Sequence, residues 1–333
     1  MTEDGAGIEA GGVVFEDRGT RLAGRVWLPP GAGPHPGVVF VHGSGPAEGK
    51  SWEQEAVALA GAGIAGLAYD KPGCGASGGD WRGQSFQDRA LEALAAVACL
   101  QRQPGMDAAR VAVLGGSQGG WIGPLAASQS SQVAAVVSLS GPGVSPFEQE
   151  AFRVERQLRD GGAGEDQVTE ALAFFHRRAA RMRRGDAPEA ILADQLRHRD
   201  APWYPVLGDD DEVAHLGFTA RIYDHDPVPV LERVTCPVLA IWGERDLYVP
   251  VGRSVAAFDA ALAKAGNRDY RLEVIPDADH GLRLPAAEGS GPGPRAPALM
   301  RILTGWLRRV LRAGPDGPGA APPAPGERAT RER

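Results

Sequence analysis

The run Val111-Ala112-Val113-Leu114-Gly115-Gly116-Ser117-Gln118-Gly119-Gly120 closes an apolar stretch with a serine that has glycine at both second neighbours. That order predicts a buried strand, a tight turn and the start of a helix, with Ser117 strained at the turn and its hydroxyl projecting at the carboxyl end of a sheet. Gly115 and Gly119 lack a Cβ, which lets strand and helix approach closely. In a chain of 46 glycines the same string also fits a plain strand-to-helix connection, so its partners must decide. A serine hydroxyl attacks a carbonyl only with a base to take its proton, a group to orient that base, and donors for the oxyanion.

Such groups converge just beyond the carboxyl ends of strands in a doubly wound sheet. After the apolar stretch 237–242 comes Gly243-Glu244-Arg245-Asp246-Leu247, which makes Asp246 the candidate orienter. Glu244, two residues nearer the strand, is the alternative. After 270–275 comes Pro276-Asp277-Ala278-Asp279-His280-Gly281, which makes His280 the candidate base. His35 lies in a Pro-rich loop, and His176, His198, His215 and His225 lie in a charge-rich middle segment where packing or exposure is the plainer role. His42 comes too early in chain order to be the base and is expected to brace the loop His42-Gly43-Ser44-Gly45-Pro46. The backbone N–H groups of Ser44 and Gln118 are the candidate oxyanion donors. Ser117, Asp246 and His280 then follow the order nucleophile, acid, base.

The elements that position these residues follow from periodicity. Stretches 12–17 and 21–28 read as an antiparallel edge, and 37–41, 64–69, 111–114 and 133–139 read as strands buried on both faces, separated by helical patterns over 52–59 and 87–100. A further helix is expected over 121–127. Strand 237–242, a helix over 255–265, strand 270–275 and an amphipathic helix over 296–311 complete the pattern. The fold class is therefore α/β, a doubly wound and mostly parallel sheet. Its core is expected over 12–143 and 235–312, with a helical cap inserted late in the sheet over 144–234, where helical patterns cover 147–158, 167–182 and 188–196. Residues 1–11 and the Pro/Gly/Ala-rich tail 314–333 are expected to be flexible.

Bulk properties narrow the partners. With 333 residues, 43% of them apolar, the chain can bury a large core. A formal charge of 35 − 42 = −7 gives no global attraction to nucleic acid or anionic membranes. Three widely spaced cysteines fit neither a zinc site nor a disulfide scaffold, and the start of the chain lacks the basic and apolar regions of a secretion signal. A soluble, cytoplasmic protein is expected. The oligomeric state is not legible.

At these residues the chain resembles the α/β-hydrolase superfamily over about 12–311, and more narrowly the bacterial serine esterases related to dienelactone hydrolases and acyl-peptide hydrolases. The strings that carry the resemblance are His42-Gly43-Ser44-Gly45-Pro46, Tyr69-Asp70-Lys71-Pro72-Gly73-Cys74-Gly75-Ala76-Ser77, Ser117-Gln118-Gly119-Gly120-Trp121-Ile122 and Gly243-Glu244-Arg245-Asp246. Two positions depart from it: Gly116 replaces the histidine often found before the nucleophile, and Pro72 stands where such loops often carry arginine. The loop 70–77 is expected to give structural support. The resemblance implies a serine hydrolase that cleaves a carboxylic ester or thioester of a small molecule through a Ser117 acyl-enzyme, with no metal or organic cofactor. An acyltransferase or cyclase with the same triad, a peptidase, and a non-catalytic binding protein are the rivals. Phe147, Phe152, Leu172, Phe174, Phe175, Trp203, Tyr204 and Tyr223 are expected either to anchor the cap helices or to line an acyl pocket. Arg177, Arg178, Arg181, Arg183 and Arg184 form either a solvated helix face or an anion site.

Overall fold

The computed structural model describes residues 8–207, 212–286 and 291–312. Eight strands form one sheet: β1 (Ala10–Asp17), β2 (Thr20–Trp27), β3 (His35–Val41), β4 (Ala65–Tyr69), β5 (Met106–Gly116), β6 (Ala135–Leu139), β7 (Val238–Gly243) and β8 (Tyr270–Ile275). Their order is β1-β2-β4-β3-β5-β6-β7-β8. The β1–β2 hairpin and the β2–β4 pair are antiparallel, and all pairs from β4 onward are parallel. The elbow strand β5 is thus central, between β3 and β6.

Eleven α-helices accompany the sheet among the described residues: α1 (Glu53–Gly61), α2 (Phe86–Gln101), α3 (Gly119–Ala127), α4 (Pro146–Asp160), α5 (Glu165–Arg183), α6 (Pro188–Gln195), α7 (Tyr204–Leu207), α8 (Val213–Ile222), α9 (Val228–Leu231), α10 (Val251–Lys264) and α11 (Pro297–Val310). Because strand side chains alternate between faces, the apolar runs feed two separate cores. Val38, Phe40, Ala112, Leu114, Val137 and Ile241 pack on one face with α1 and α11. Val39, Val41, Val111, Val113, Val136 and Ala240 pack on the other with α2, α3 and α10. A third apolar cluster, running from Val154 to Tyr223, belongs to the helices between β6 and β7.

Several expected boundaries move. β1 begins at Ala10, so Ala10 and Gly11 are strand rather than flexible terminus, while residues 1–7 and 313–333 lie outside the described residues. β5 starts at Met106 instead of 111, because the amino-terminal part of the strand pairs with His35 across a register shift. Helix α8 has no clear signal in the sequence. Its Gly217 and Thr219 lower helix propensity, and the helix is held by burial of Leu216, Phe218 and Ile222. Phe218 and Ile222, with Val230, Leu231 and Val234, join the core of the sheet, whereas Leu216 joins the third cluster. The inserted helices therefore meet the sheet through α8 and α9. Among the described residues no helix is long and apolar enough to cross a membrane, and Cys74, Cys99 and Cys236 are unpaired thiols.

Candidate active site

Ser117 sits between β5 and α3 with φ of 52°, a left-handed conformation that costs a residue with a Cβ about 1–3 kcal/mol. Two backbone bonds hold it there: its N–H donates to Leu139 O at 2.8 Å, and Gly120 N–H donates to Ser117 O at 2.7 Å. A Cβ at Gly115 would run into the Gly119 carbonyl, so the crossing of strand and helix requires glycine. At Gly116, where the esterases that the sequence resembles often carry histidine, the space is taken by the Trp52 indole, whose nearest ring carbon lies 3.0 Å from where a Cβ would stand.

His280 meets Ser117 from the loop after β8. Its Nε2 lies 2.9 Å from Ser117 Oγ, and its Nδ1 lies 2.7 Å from Asp246 Oδ2. A carboxylate only accepts, so Nδ1 carries the proton and Nε2 is free to accept from the serine hydroxyl. The Asp246 carboxylate is fully buried, and its other oxygen accepts the N–H groups of Tyr248 at 2.8 Å and Val249 at 2.9 Å. Glu244, the alternative orienter, accepts instead from Asp277 N–H at 3.1 Å, away from His280. The His280 loop is pinned by Ser140, whose hydroxyl donates to His280 O at 2.8 Å. It also packs so close to the end of β7 that a Cβ on Gly243 would collide with the carbonyls of Ala278 and Asp279.

Ser44 and Gln118 line the same cavity as Ser117 and His280. Among the described residues neither backbone N–H donates to a protein acceptor. Gln118 precedes the first turn of α3, where free amides and the helix dipole favour negative charge. The segments bearing the two amides are tied together by Arg89, which is buried. Its Nη2 donates to His42 O at 2.8 Å, and its Nη1 donates to the Gln118 side-chain oxygen. His42 braces the loop as expected. Its Nε2–H donates to Tyr69 O at 2.7 Å, its Nδ1 accepts from Trp52 Nε1 at 3.1 Å, and burial pulls its pKa down to about 4, which keeps it neutral.

The cavity above Ser117 has a volume of about 210 Å³. Trp121, Leu207, Phe218 and Ile222 form its apolar wall, and Gln149, Glu150 and Arg153 of α4 form a polar side. Of the aromatic residues considered for it, only Tyr223 lines it. Phe174, Phe175, Trp203 and Tyr204 pack within the inserted helices as anchors, and Phe152 borders a different surface cavity. The arginines of α5 do not converge on an anion site: Arg181 and Arg184 pair with Asp186, Arg183 with Asp224, and buried Arg178 donates to Gln195. Among the described residues no group of three His, Cys, Asp or Glu side chains is placed to hold a metal.

Sequence reasoning did not single out Arg89 or Tyr248, and it gave His215 packing or exposure as the plainer role, whereas His215 lines the cavity. Arg89 was legible in principle, as a charge on the apolar face that Phe86, Ala90, Ala93 and Val97 define in α2. Tyr248, whose ring centroid lies 5.0 Å from that of His280, and His215 come to line the same cavity as Ser117 only through folding.

The model of the Alpha/beta hydrolase family matches residues 38–290. Esterase EstD of Thermotoga maritima is 29% identical over 240 residues, a stretch that covers 68% of this chain and 50% of EstD. The chain thus spans about half the length of that relative. The structure of a Pyrococcus furiosus esterase superposes with a TM-score of 0.58 at 17% identity, covering 93% of this chain and 94% of that one. The dienelactone hydrolase of Anabaena variabilis superposes with a TM-score of 0.51 at 18% identity, covering 91% and 98%. The last two likenesses speak for the fold alone. Because the family model matches more than half of the chain, over residues 38–290, this chain belongs to the α/β hydrolase family.

Proposed function

We propose that the protein is a serine hydrolase that cleaves a carboxylic ester or thioester of a small molecule. The observation that carries this reading is His280, which bridges Ser117 Oγ and the buried Asp246 carboxylate in hydrogen bonds of 2.9 and 2.7 Å. In the reaction, His280 Nε2 takes the Ser117 proton as Oγ bonds to the substrate carbonyl carbon. The carbonyl oxygen becomes an oxyanion that the Ser44 and Gln118 N–H groups stabilise. Collapse expels the alcohol or thiol, which leaves with the proton from His280 Nε2. Water then repeats the sequence on the acyl-enzyme: its proton goes to His280, its oxygen to the acyl carbon, and Ser117 is released with the acid. Asp246 fixes the imidazole tautomer and stabilises its charged form throughout.

The helices between β6 and β7 act as a cap, because α7 and α8 supply Leu207, Phe218 and Ile222 to the cavity wall. A space of about 210 Å³ suits a short acyl group better than a long chain.

Fluorophosphonate labelling and hydrolysis of a panel of short and long nitrophenyl esters, thioesters and peptides test this reading. Wild type is expected to label and to prefer short esters, and Ser117→Ala to lose both label and activity. Label that survives Ser117→Ala, or a wild type that turns over none of the panel, refutes it.

A further inference from the structure

A buried lysine stands directly behind one of the two candidate oxyanion donors. Lys71 has no solvent exposure, and its amine donates to Gly45 O at 2.7 Å and to Gly43 O at 3.2 Å. Its backbone N–H donates to Ala47 O at 3.0 Å, so the residue grips the loop at three points. The Gly43 carbonyl belongs to the same peptide unit as the Ser44 N–H, and a planar trans peptide points the two in opposite directions. A carbonyl held from behind by Lys71 therefore turns the Ser44 N–H away from Lys71 and into the cavity that Ser44 lines. The loop also lies against the nucleophile, since a Cβ on Gly43 would stand 3.2 Å from Ser117 Cβ. Arg89 holds the preceding carbonyl, His42 O, so consecutive carbonyls of the loop face buried nitrogen donors.

We infer that Lys71 is the positioning residue of the Ser44 oxyanion donor: by holding Gly43 O and Gly45 O it fixes the direction of the Ser44 N–H and, through the shared peptide, strengthens it as a donor. The inference rests on the proposed roles of Ser117 and Ser44. A hydrophobic residue would be cheaper to bury than an amine, so the two carbonyls are what the amine is there to satisfy. Burial and Arg89 push the Lys71 pKa down to about 6, against Glu92 and Cys74, and its side chain also packs 4.5 Å from the Trp81 ring centroid. Amine and ammonium alike keep the two N–H donors that the two carbonyls need. Among the described residues the Ser44 N–H has no protein acceptor, so its orientation matters most when charge develops on the substrate oxygen. The effect belongs in kcat.

The test compares Lys71→Met, which keeps the stem and removes the donors, with Lys71→Gln, which keeps a neutral donor. Readouts are kcat and KM on the ester that wild type turns over best, and inhibition by a trifluoromethyl ketone of the same acyl group, whose Ser117 adduct carries an oxyanion. Complete loss of one oxyanion donor costs about 10²–10³ in kcat, so Lys71→Met is expected to lower kcat by roughly tenfold or more. KM should stay within roughly threefold, and ketone affinity should fall in step with kcat. Lys71→Gln is expected to fall between. A residue that only supports the fold would lower the melting temperature and the active fraction while leaving ketone affinity unchanged, and that result overturns the inference. If Lys71→Met does not fold, Lys71→Gln decides by the same readouts. Active wild type with an unaltered Lys71 variant sinks only the role of Lys71, whereas wild type that neither labels nor hydrolyses sinks the underlying reading as well.

Discussion

Replacing Asp246 by asparagine removes one charge and keeps the shape, and the surrounding hydrogen bonds dictate the consequence. Asp246 Oδ1 accepts two backbone N–H groups, from Tyr248 and Val249. An asparagine in the same place must keep its oxygen toward those donors, since the flipped amide would set N–H against N–H. Its NH₂ then faces His280 Nδ1, which lies 2.7 Å from the carboxylate in the native protein. A donor there forces Nδ1 to accept, so the imidazole proton moves to Nε2, the atom 2.9 Å from Ser117 Oγ. The ring can no longer take the serine proton. In the serine protease from which the triad logic is drawn, the equivalent change lowers kcat about 10⁴-fold. We expect a loss of that order here, or about 5 kcal/mol of transition-state stabilisation. The assay is steady-state hydrolysis of a short nitrophenyl ester near neutral pH, with thermal melting to show that the variant is folded and Glu244→Gln as the companion, expected to be near wild type. A folded Asp246→Asn enzyme within about tenfold of wild type in kcat refutes the tautomer argument, and a large loss confined to Glu244→Gln refutes the choice of carboxylate.

Two stability predictions follow from the buried polar layer behind the site. Arg89→Met strips His42 O and the Gln118 side chain of their donor and removes the positive charge that favours ionised Glu92, one turn along α2; a loss of about 1–3 kcal/mol is expected in urea unfolding. Adding Glu92→Leu should return part of it, and a double variant no more stable than the single one contradicts this account. The second concerns acid. His42 has a pKa of about 4 in the folded protein against about 6.5 unfolded, so above pH 6.5 it contributes nothing. As pH falls from 6.5 toward 4 the unfolded chain takes the proton and the native state does not, and stability drops, by up to about 3 kcal/mol. His225 acts in the same direction, Lys71 adds no slope below its value of about 6, and the Glu92 carboxyl, whose pKa burial holds above its ordinary value, acts in the opposite direction. Unfolding free energies that stay flat between pH 6.5 and 5 in a Glu92→Gln background contradict the burial argument.

Where the period of the sequence and the requirement of the fold coincided, reading the chain worked. The runs that became β3 to β7 are continuously apolar because helices cover both faces of the sheet. The meeting of Ser117, Asp246 and His280 at one end of the sheet was legible because a doubly wound sheet gathers the residues that follow its strands. Helix α8 was not, since its propensity is poor and its stability comes from contacts with residues distant in sequence.

What the sequence determined by itself was therefore the α/β plan, the chain order of the candidate nucleophile, acid and base, and the strain-bearing turn at Ser117. Only the tertiary structure decided between Asp246 and Glu244, because two carboxylates two residues apart differ in which one the loop turns toward His280. It alone set Tyr248 and His215 in the lining of the cavity that holds Ser117, filled the place opposite Gly116 with Trp52, and put Lys71 and Arg89 behind the loop of Ser44. Hydrophobic period records which face of an element is buried. It does not record which buried atoms meet, and the hydrogen-bond geometry that orients donors and acceptors at a reacting centre exists only once the chain has closed on itself.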